Sequence, residues 1–259
     1  MALFVSRWGD PNAGKHALLI HGLTSSSGTW TRIAQGLTAE GYSVIAPDLL
    51  GHGCSQRATD YTLSAFVNAL RPLFEPTQPR FSLVIAHSFG SIVALALLAL
   101  LPPARTIPVI LLDPPLLPTG RIPARQQRKE NVPKAWEMIV KEITELQTVE
   151  ELQAAHPQWS KEDAVWKVLG AQLCDVEAIK GAIEQNQPWS FMYLLENIPS
   201  NIRLTILMAD PRQHPACEMS AVEVYSQIRS IVVEGSSHSI HRDYPEKVLR
   251  TALDSIIEL

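Results

Sequence analysis

The most constraining feature of this 259-residue chain is the stretch 81–101. Residues 81–86, Phe-Ser-Leu-Val-Ile-Ala, carry no charge and are rich in branched apolar side chains, the pattern of a strand covered on both faces. Residues 91–101, Ser-Ile-Val-Ala-Leu-Ala-Leu-Leu-Ala-Leu-Leu, contain neither Gly nor Pro and predict a buried helix. Only Ala86-His87-Ser88-Phe89-Gly90 spans the change of period. A chain that passes from strand to helix so abruptly needs a tight, strained turn. Small residues at its ends let the helix pack back on the strand. The residue at the tip, Ser88, is then held out at the positive end of the helix.

The remainder of the chain fits around such a unit. Residues 2–8 predict an edge strand, and buried strands are expected at 17–20, 42–46, 107–112, 203–209 and 228–233. Helices are expected at 29–40, 61–73 and from Tyr244 to 259. From about 116 to 200 no strand pattern appears. Apolar residues recur there at helical spacing through Trp136, Ile139, Val140, Ile143 and Leu146, with further helical stretches near 147–155, 161–170, 174–186 and 189–196. Alternating buried strands and helices predict a mostly parallel, doubly wound α/β sheet. The expected division is a core of 1–115 and 200–259, with a helical cap inserted at 116–199. Four of the six tryptophans fall in that insertion, and Trp136, Trp159 and Trp189 are candidates to line a pocket for an apolar or aromatic substrate.

Composition narrows the function classes. A net charge of −4 carries no polybasic signature, so nucleic acid is not an expected partner. Cys54, Cys174 and Cys217 are odd in number and widely spaced, which argues against a disulfide framework or a clustered zinc site and fits a reducing, cytoplasmic setting. The apolar run of the N-terminal ten residues is too short for a signal peptide, and the run at 92–101 is too short to span a bilayer. There is no metal-ligand spacing and no glycine-rich phosphate loop, so no metal or cofactor is expected. The expected partner is a small-molecule substrate, with neither nucleic acid nor membrane; a homodimer is compatible with the sequence.

Three motifs together resemble the α/β-hydrolase fold. Ala86-x-Ser88-x-Gly90, set between strand and helix, is similar to the family's nucleophile elbow, with Ala in the place of its usual first Gly. Ala17-Leu-Leu-Ile-His21-Gly22 is similar to its oxyanion loop. Asp48-x-x-Gly51-His52-Gly53-x-Ser55 is the most family-specific segment, and its glycines, with hydrogen bonds from Asp48 and His52 inside the loop, suit a structural role. The resemblance implies a capped, cofactor-free serine hydrolase of the esterase or lactonase type, acting through an acyl-enzyme. It implies oxyanion donors at the backbone N–H groups of Leu23 and Phe89. Ser rather than Asp at the elbow counts against dehalogenase and epoxide hydrolase chemistry.

Chemistry assigns the remaining roles. A serine hydroxyl needs a base, imidazole suits that task at neutral pH, and a carboxylate fixes the imidazole tautomer. Ser88, Asp210 and His238 follow the chain order of the family's triad. His238 is preferred over His241 because Gly235-x-x-His238 just after the last strand resembles the family's placement of this residue. Asp210 is the expected acid, with Asp113, at the end of another core strand, as the alternative. His87 is expected to pack under the elbow. Other reactions on the same triad remain open: carbon–carbon bond hydrolysis, hydroxynitrile cleavage and acyl transfer. So does a ligand receptor with an idle triad.

Overall fold

The computed structural model describes residues 3–116, 139–141 and 143–257. Seven strands form one sheet: β1 Val5–Trp8, β2 Lys15–Ile20, β3 Tyr42–Pro47, β4 Leu83–His87, β5 Ile107–Leu112, β6 Ile202–Met208 and β7 Arg229–Val232. Their order is β1-β3-β2-β4-β5-β6-β7, and every pair is parallel except the antiparallel β1–β3 edge. The expected α/β sheet is therefore present.

Side chains along each central strand alternate between two cores, as a pleat of period two requires. Leu18, Ile20, Val84, Ala86, Val109 and Leu111 face one, while Leu19, Leu83, Ile85, Ile110 and Leu112 face the other. The first core also takes in residues of α2 (Leu63–Leu70) and α3 (Phe89–Leu97). The second takes in α1 (Thr31–Ala39) and residues of the helix over 245–257. With both faces covered, the strands need unbroken apolar sequence, which is why Leu-Val-Ile-Ala contains no charge.

The order reverses between β2 and β4. The chain leaves β2 toward β3, then crosses back to β4 on the other side. In such sheets the crevice beyond the strand C-termini at the reversal receives the ligand. Ile20 pairs with Ala86 there, so His21-Gly22 exits beside His87-Ser88. The elbow is tighter than the sequence implies. β4 continues through His87 and α3 begins at Phe89, leaving Ser88 alone between them.

Between β5 and β6 the described residues form no strand; they include helical residues at 139–141 and 143–144, then α4 Val149–Ala155, α5 Lys161–Gln172 and α6 Val176–Glu184, with a 3₁₀ turn at Met192–Leu195. Thr148 with Glu151, and Ser160 with Asp163, close capping boxes at the starts of α4 and α5. The remaining helices are α7 Met219–Val222, α8 Ile240–Asp243 and α9 Pro245–Ile257. Among the described residues no helix is long and apolar enough to cross a membrane.

Candidate active site

Ser88 is held at φ 52°, ψ −127°, a conformation that costs a non-glycine residue on the order of 1–3 kcal/mol. Packing enforces it. Ser88 N donates to Leu112 O on β5 at 2.9 Å, and Ser91 Oγ bonds Ala86 O at 2.9 Å, clamping the helix start to the strand end. A Cβ on Gly90 would overlap the carbonyl oxygens of Ile20 and His21, so only glycine lets α3 lie this close to β2. A Cβ on Gly22 would lie 2.8 Å from Ser88 Cβ and 3.1 Å from His87 Nδ1. The backbone at Gly22-Leu23 thus runs directly alongside the elbow. Phe89 is the first residue of α3, so its N–H is one of the four that a helix start leaves without an intrahelical acceptor.

The carboxylate that reaches His238 is Asp113, not Asp210. His238 Nδ1 lies 2.6 Å from Asp113 Oδ2. Asp113 follows β5 at φ 44° and is fully buried. Its oxygens also accept from the N–H groups of Ala209, Ala216 and Cys217 at 3.3, 2.9 and 3.2 Å. These donors point to a carboxylate, so Nδ1 carries the proton and a neutral ring leaves its Nε2 lone pair free. Asp210, the expected acid, is held elsewhere. Arg212 Nε and Nη2 grip it side-on at 3.0 and 2.6 Å, and Gly235 N donates to it at 2.7 Å. The Arg212 guanidinium first, then the backbone donors, hold its carboxyl well below the usual range. Its place is structural: it ties the end of β6 to the turn after β7.

His238 is brought to the elbow by a stack of imidazoles. His87 Nε2–H donates to the carbonyl oxygen of His238 at 2.8 Å, and the two rings lie 4.7 Å apart. His241, fully buried, lies 4.5 Å from His87 on its other side and pairs with Thr29 Oγ1 at 2.8 Å. Burial pushes both His87 and His241 well below the ordinary imidazole value, so both are neutral packing groups. Among the described residues Ser88 Oγ and His238 share no hydrogen bond.

The 48–55 loop has the structural role that its residues suggest. Asp48 accepts from Ser27 N at 2.6 Å and Cys54 N at 2.8 Å, and a Cβ on Gly53 would overlap its carboxylate. His52 Nδ1 donates to Leu50 O at 2.8 Å. His21 Nε2 accepts from Leu49 N at 2.9 Å while its Nδ1–H donates to Gly22 O at 2.7 Å, fixing the loop beside Ser88. Burial raises the thiols of Cys174 and Cys217 to about 12, which disqualifies them as nucleophiles. Among the described residues no cluster of three or more His, Cys, Asp or Glu could hold a metal.

The pocket candidates divide. Trp136 lies outside the described residues. Trp189 is half-buried and stacks on Phe89 at 5.6 Å, directly beside the expected oxyanion donor. Trp159 departs from expectation. It is buried, stacks on His156 at 4.1 Å, and donates its indole N–H to Asp243 Oδ1 at 2.6 Å. An indole spent this way clamps the insertion to α8 instead of lining a pocket. Asp243 then returns through Oδ2 to Ser237 N and Oγ, both at 2.6 Å, so one carboxylate joins the insertion to the loop that carries His238. Sequence reasoning missed Asp243, and its only signal was an acid five residues after the histidine.

The family model of the alpha/beta hydrolase family matches residues 17–251. Lipase LipV of Mycobacterium tuberculosis is 39% identical over 112 residues, covering 43% of this chain and 41% of the lipase. A probable lysophospholipase of Arabidopsis thaliana, BODYGUARD 4, is 37% identical over 89 residues, covering 33% of this chain and 21% of that protein. The matches thus span less than half the length of these curated relatives. Among solved structures, E-2-(acetamidomethylene)succinate hydrolase superposes with a TM-score of 0.75 at 18% identity, covering 99% of this chain and 95% of the other. An esterase from Exiguobacterium antarcticum does so with 0.73 at 17%, covering 99% and 96%. With the family model matched over most of its length, the chain belongs to the alpha/beta hydrolase family.

Proposed function

We propose that this chain is a serine hydrolase that cleaves a carboxylic ester, lactone or related acyl bond, with Ser88 as nucleophile, His238 as base and acid, and Asp113 as orienting carboxylate. The observation that carries this is the 2.6 Å contact between Asp113 and His238, on a loop pinned to the elbow by His87. The Ser88 proton passes to His238 Nε2 as Oγ bonds to the acyl carbon. The N–H groups of Leu23 and Phe89 stabilise the oxyanion. The bond to the leaving oxygen breaks and takes the proton from Nε2. Water repeats the sequence to free the acid and restore Ser88. The lipase and esterase named above support an ester substrate. Helices α4–α6 serve in this reading as part of the cap, and the Trp189 ring stacked on Phe89 favours a substrate with an apolar or aromatic body.

The test is turnover of 4-nitrophenyl esters and labelling by a fluorophosphonate. Ser88→Ala should abolish labelling and cut kcat by at least ~10³-fold with an unchanged circular dichroism spectrum. Full turnover in that variant would end the proposal.

A further inference from the structure

Beside the triad the fold buries a cation whose hydrogen-bonding edge faces no acceptor. Arg242, on α8, is 2% exposed. Its Nη1 donates to Ser239 Oγ at 3.2 Å, and its plane lies 5.3 Å from the Trp159 ring. Its Nε and Nη2 N–H groups are buried without a partner. Guanidinium stays charged at neutral pH, and even here burial lowers it only to about 10. The two carboxylates that attract it are already engaged. Asp163 Oδ2 accepts from Arg32 Nη1 and Ser160 Oγ, both at 2.7 Å, and Asp243 accepts from Trp159, Gln158 and Ser237.

The orphaned edge has a specific shape. Nε–H and Nη2–H of one guanidinium point the same way and match the two oxygens of a carboxylate. This protein shows that pairing once already, where Arg212 uses the same two atoms to grip Asp210. At Arg242 the edge is built, and among the described residues no carboxylate fills it.

Its surroundings fit an anion. Ser25 and Ser26, 5% and 3% exposed, have buried hydroxyls without partners, and they follow the Gly22-Leu23 backbone that flanks Ser88. α5 crosses this loop closely, for a Cβ on Gly170 would lie 3.0 Å from Ser25 Cα. Lys167 stands one turn earlier on that face of α5. Burial first, then the charge of Arg242, lowers its ammonium to about 7. Arg242 is bonded to Ser239, the residue after His238, and follows His241, whose ring lies 4.5 Å from His87 beside Ser88, which sets it near the elbow.

We propose that Arg242 and Lys167, with the hydroxyls of Ser25 and Ser26, form a carboxylate subsite next to the triad, so that the preferred substrate is an acyl compound with a second, anionic end. This rests on the serine hydrolase assignment and goes beyond it by naming the substrate class. The expected preference is at least ~10-fold, which is about 1.4 kcal/mol and less than two charge-assisted hydrogen bonds contribute.

The experiment compares kcat/KM for mono-4-nitrophenyl glutarate and 4-nitrophenyl valerate, which share leaving group and acyl length. The wild-type protein should favour the glutarate at least ~10-fold, and Arg242→Met should lower that ratio by a similar factor, Lys167→Met by less. Free glutarate should inhibit valerate hydrolysis competitively, whereas glutaramide should not; this arm uses wild-type protein only and holds even where Arg242→Met fails to fold. Valerate turnover without glutarate preference or inhibition overturns the subsite and leaves the hydrolase standing. A ratio unchanged in both variants shows Arg242 to be structural and overturns it too. No turnover of either ester and no fluorophosphonate labelling overturns both.

Discussion

At the scale of single residues, the decisive comparison is between two aspartates that each end a parallel strand. Asp113→Asn should reduce kcat by about 10³–10⁴-fold, since the amide cannot hold His238 in the required tautomer. Asp210→Asn should leave kcat/KM within about threefold and lower Tm by a few degrees. Asp210 is itself buried, but its Arg212 partner is 80% exposed, so the change loses a screened ion pair and weakens the tie to Gly235 N. Steady-state kinetics and thermal melts on the pair decide the matter. In sequence both acids occupy the same kind of position, and the choice between them depends on which strand end the His238 loop crosses. Only Arg212, two residues after Asp210, hinted that this carboxylate was already engaged. The sharp turn at Ser88 and the place of His238 after the last strand were legible because a strand–turn–helix and a strand-terminal Gly-x-x-His are local patterns. Arg242 was not, because its environment is assembled from loops and helices far apart in the chain.

At the scale of elements, the elbow depends on how closely α3 approaches β2. Gly90→Ala gains about 1 kcal/mol of helix propensity but sets a methyl group against backbone oxygens that cannot turn aside, which costs about 3 kcal/mol or more. The net effect should be a clear loss in urea midpoint together with lost activity. Gly14→Ala, where a Cβ meets nothing within 4 Å, should change neither. Strand positions were legible to within a residue or two at most ends because the apolar runs are short and bounded. The helices after β5 were legible as helices. Their docking was not, since the Trp159–Asp243 bond and the Trp166 ring over Gly28 are tertiary contacts that periodicity does not encode.

At the scale of the whole molecule, four buried imidazoles set the acid limit of stability. Burial, the largest cause for each, lowers His21, His52, His87 and His241, with His52 near 3. Their folded values lie below the unfolded one of about 6.5, so the unfolded chain binds more protons in that window and stability must fall as pH drops. His52, His87 and His241 should each remove about 1 kcal/mol between pH 6.5 and 5.5, with His21 acting in the same direction. Urea midpoints across that range should therefore fall steeply, and a flat profile would show that these rings are protonated in the native state.

The placement of Asp113 bears on any attempt to exchange the segment between β5 and β6 with that of a relative. It stands at the end of β5, immediately upstream of the insertion, while three of the N–H groups that hold it come from residues 209–217, beyond β6. A graft joined tightly after β5 would disturb the carboxylate at one boundary, and a graft extended past β6 would strip its donors at the other. Chimeras that keep Asp113 on His238 must keep both splice points inside 116–202, so the carboxylate bounds the replaceable segment on one side and its donors bound it on the other.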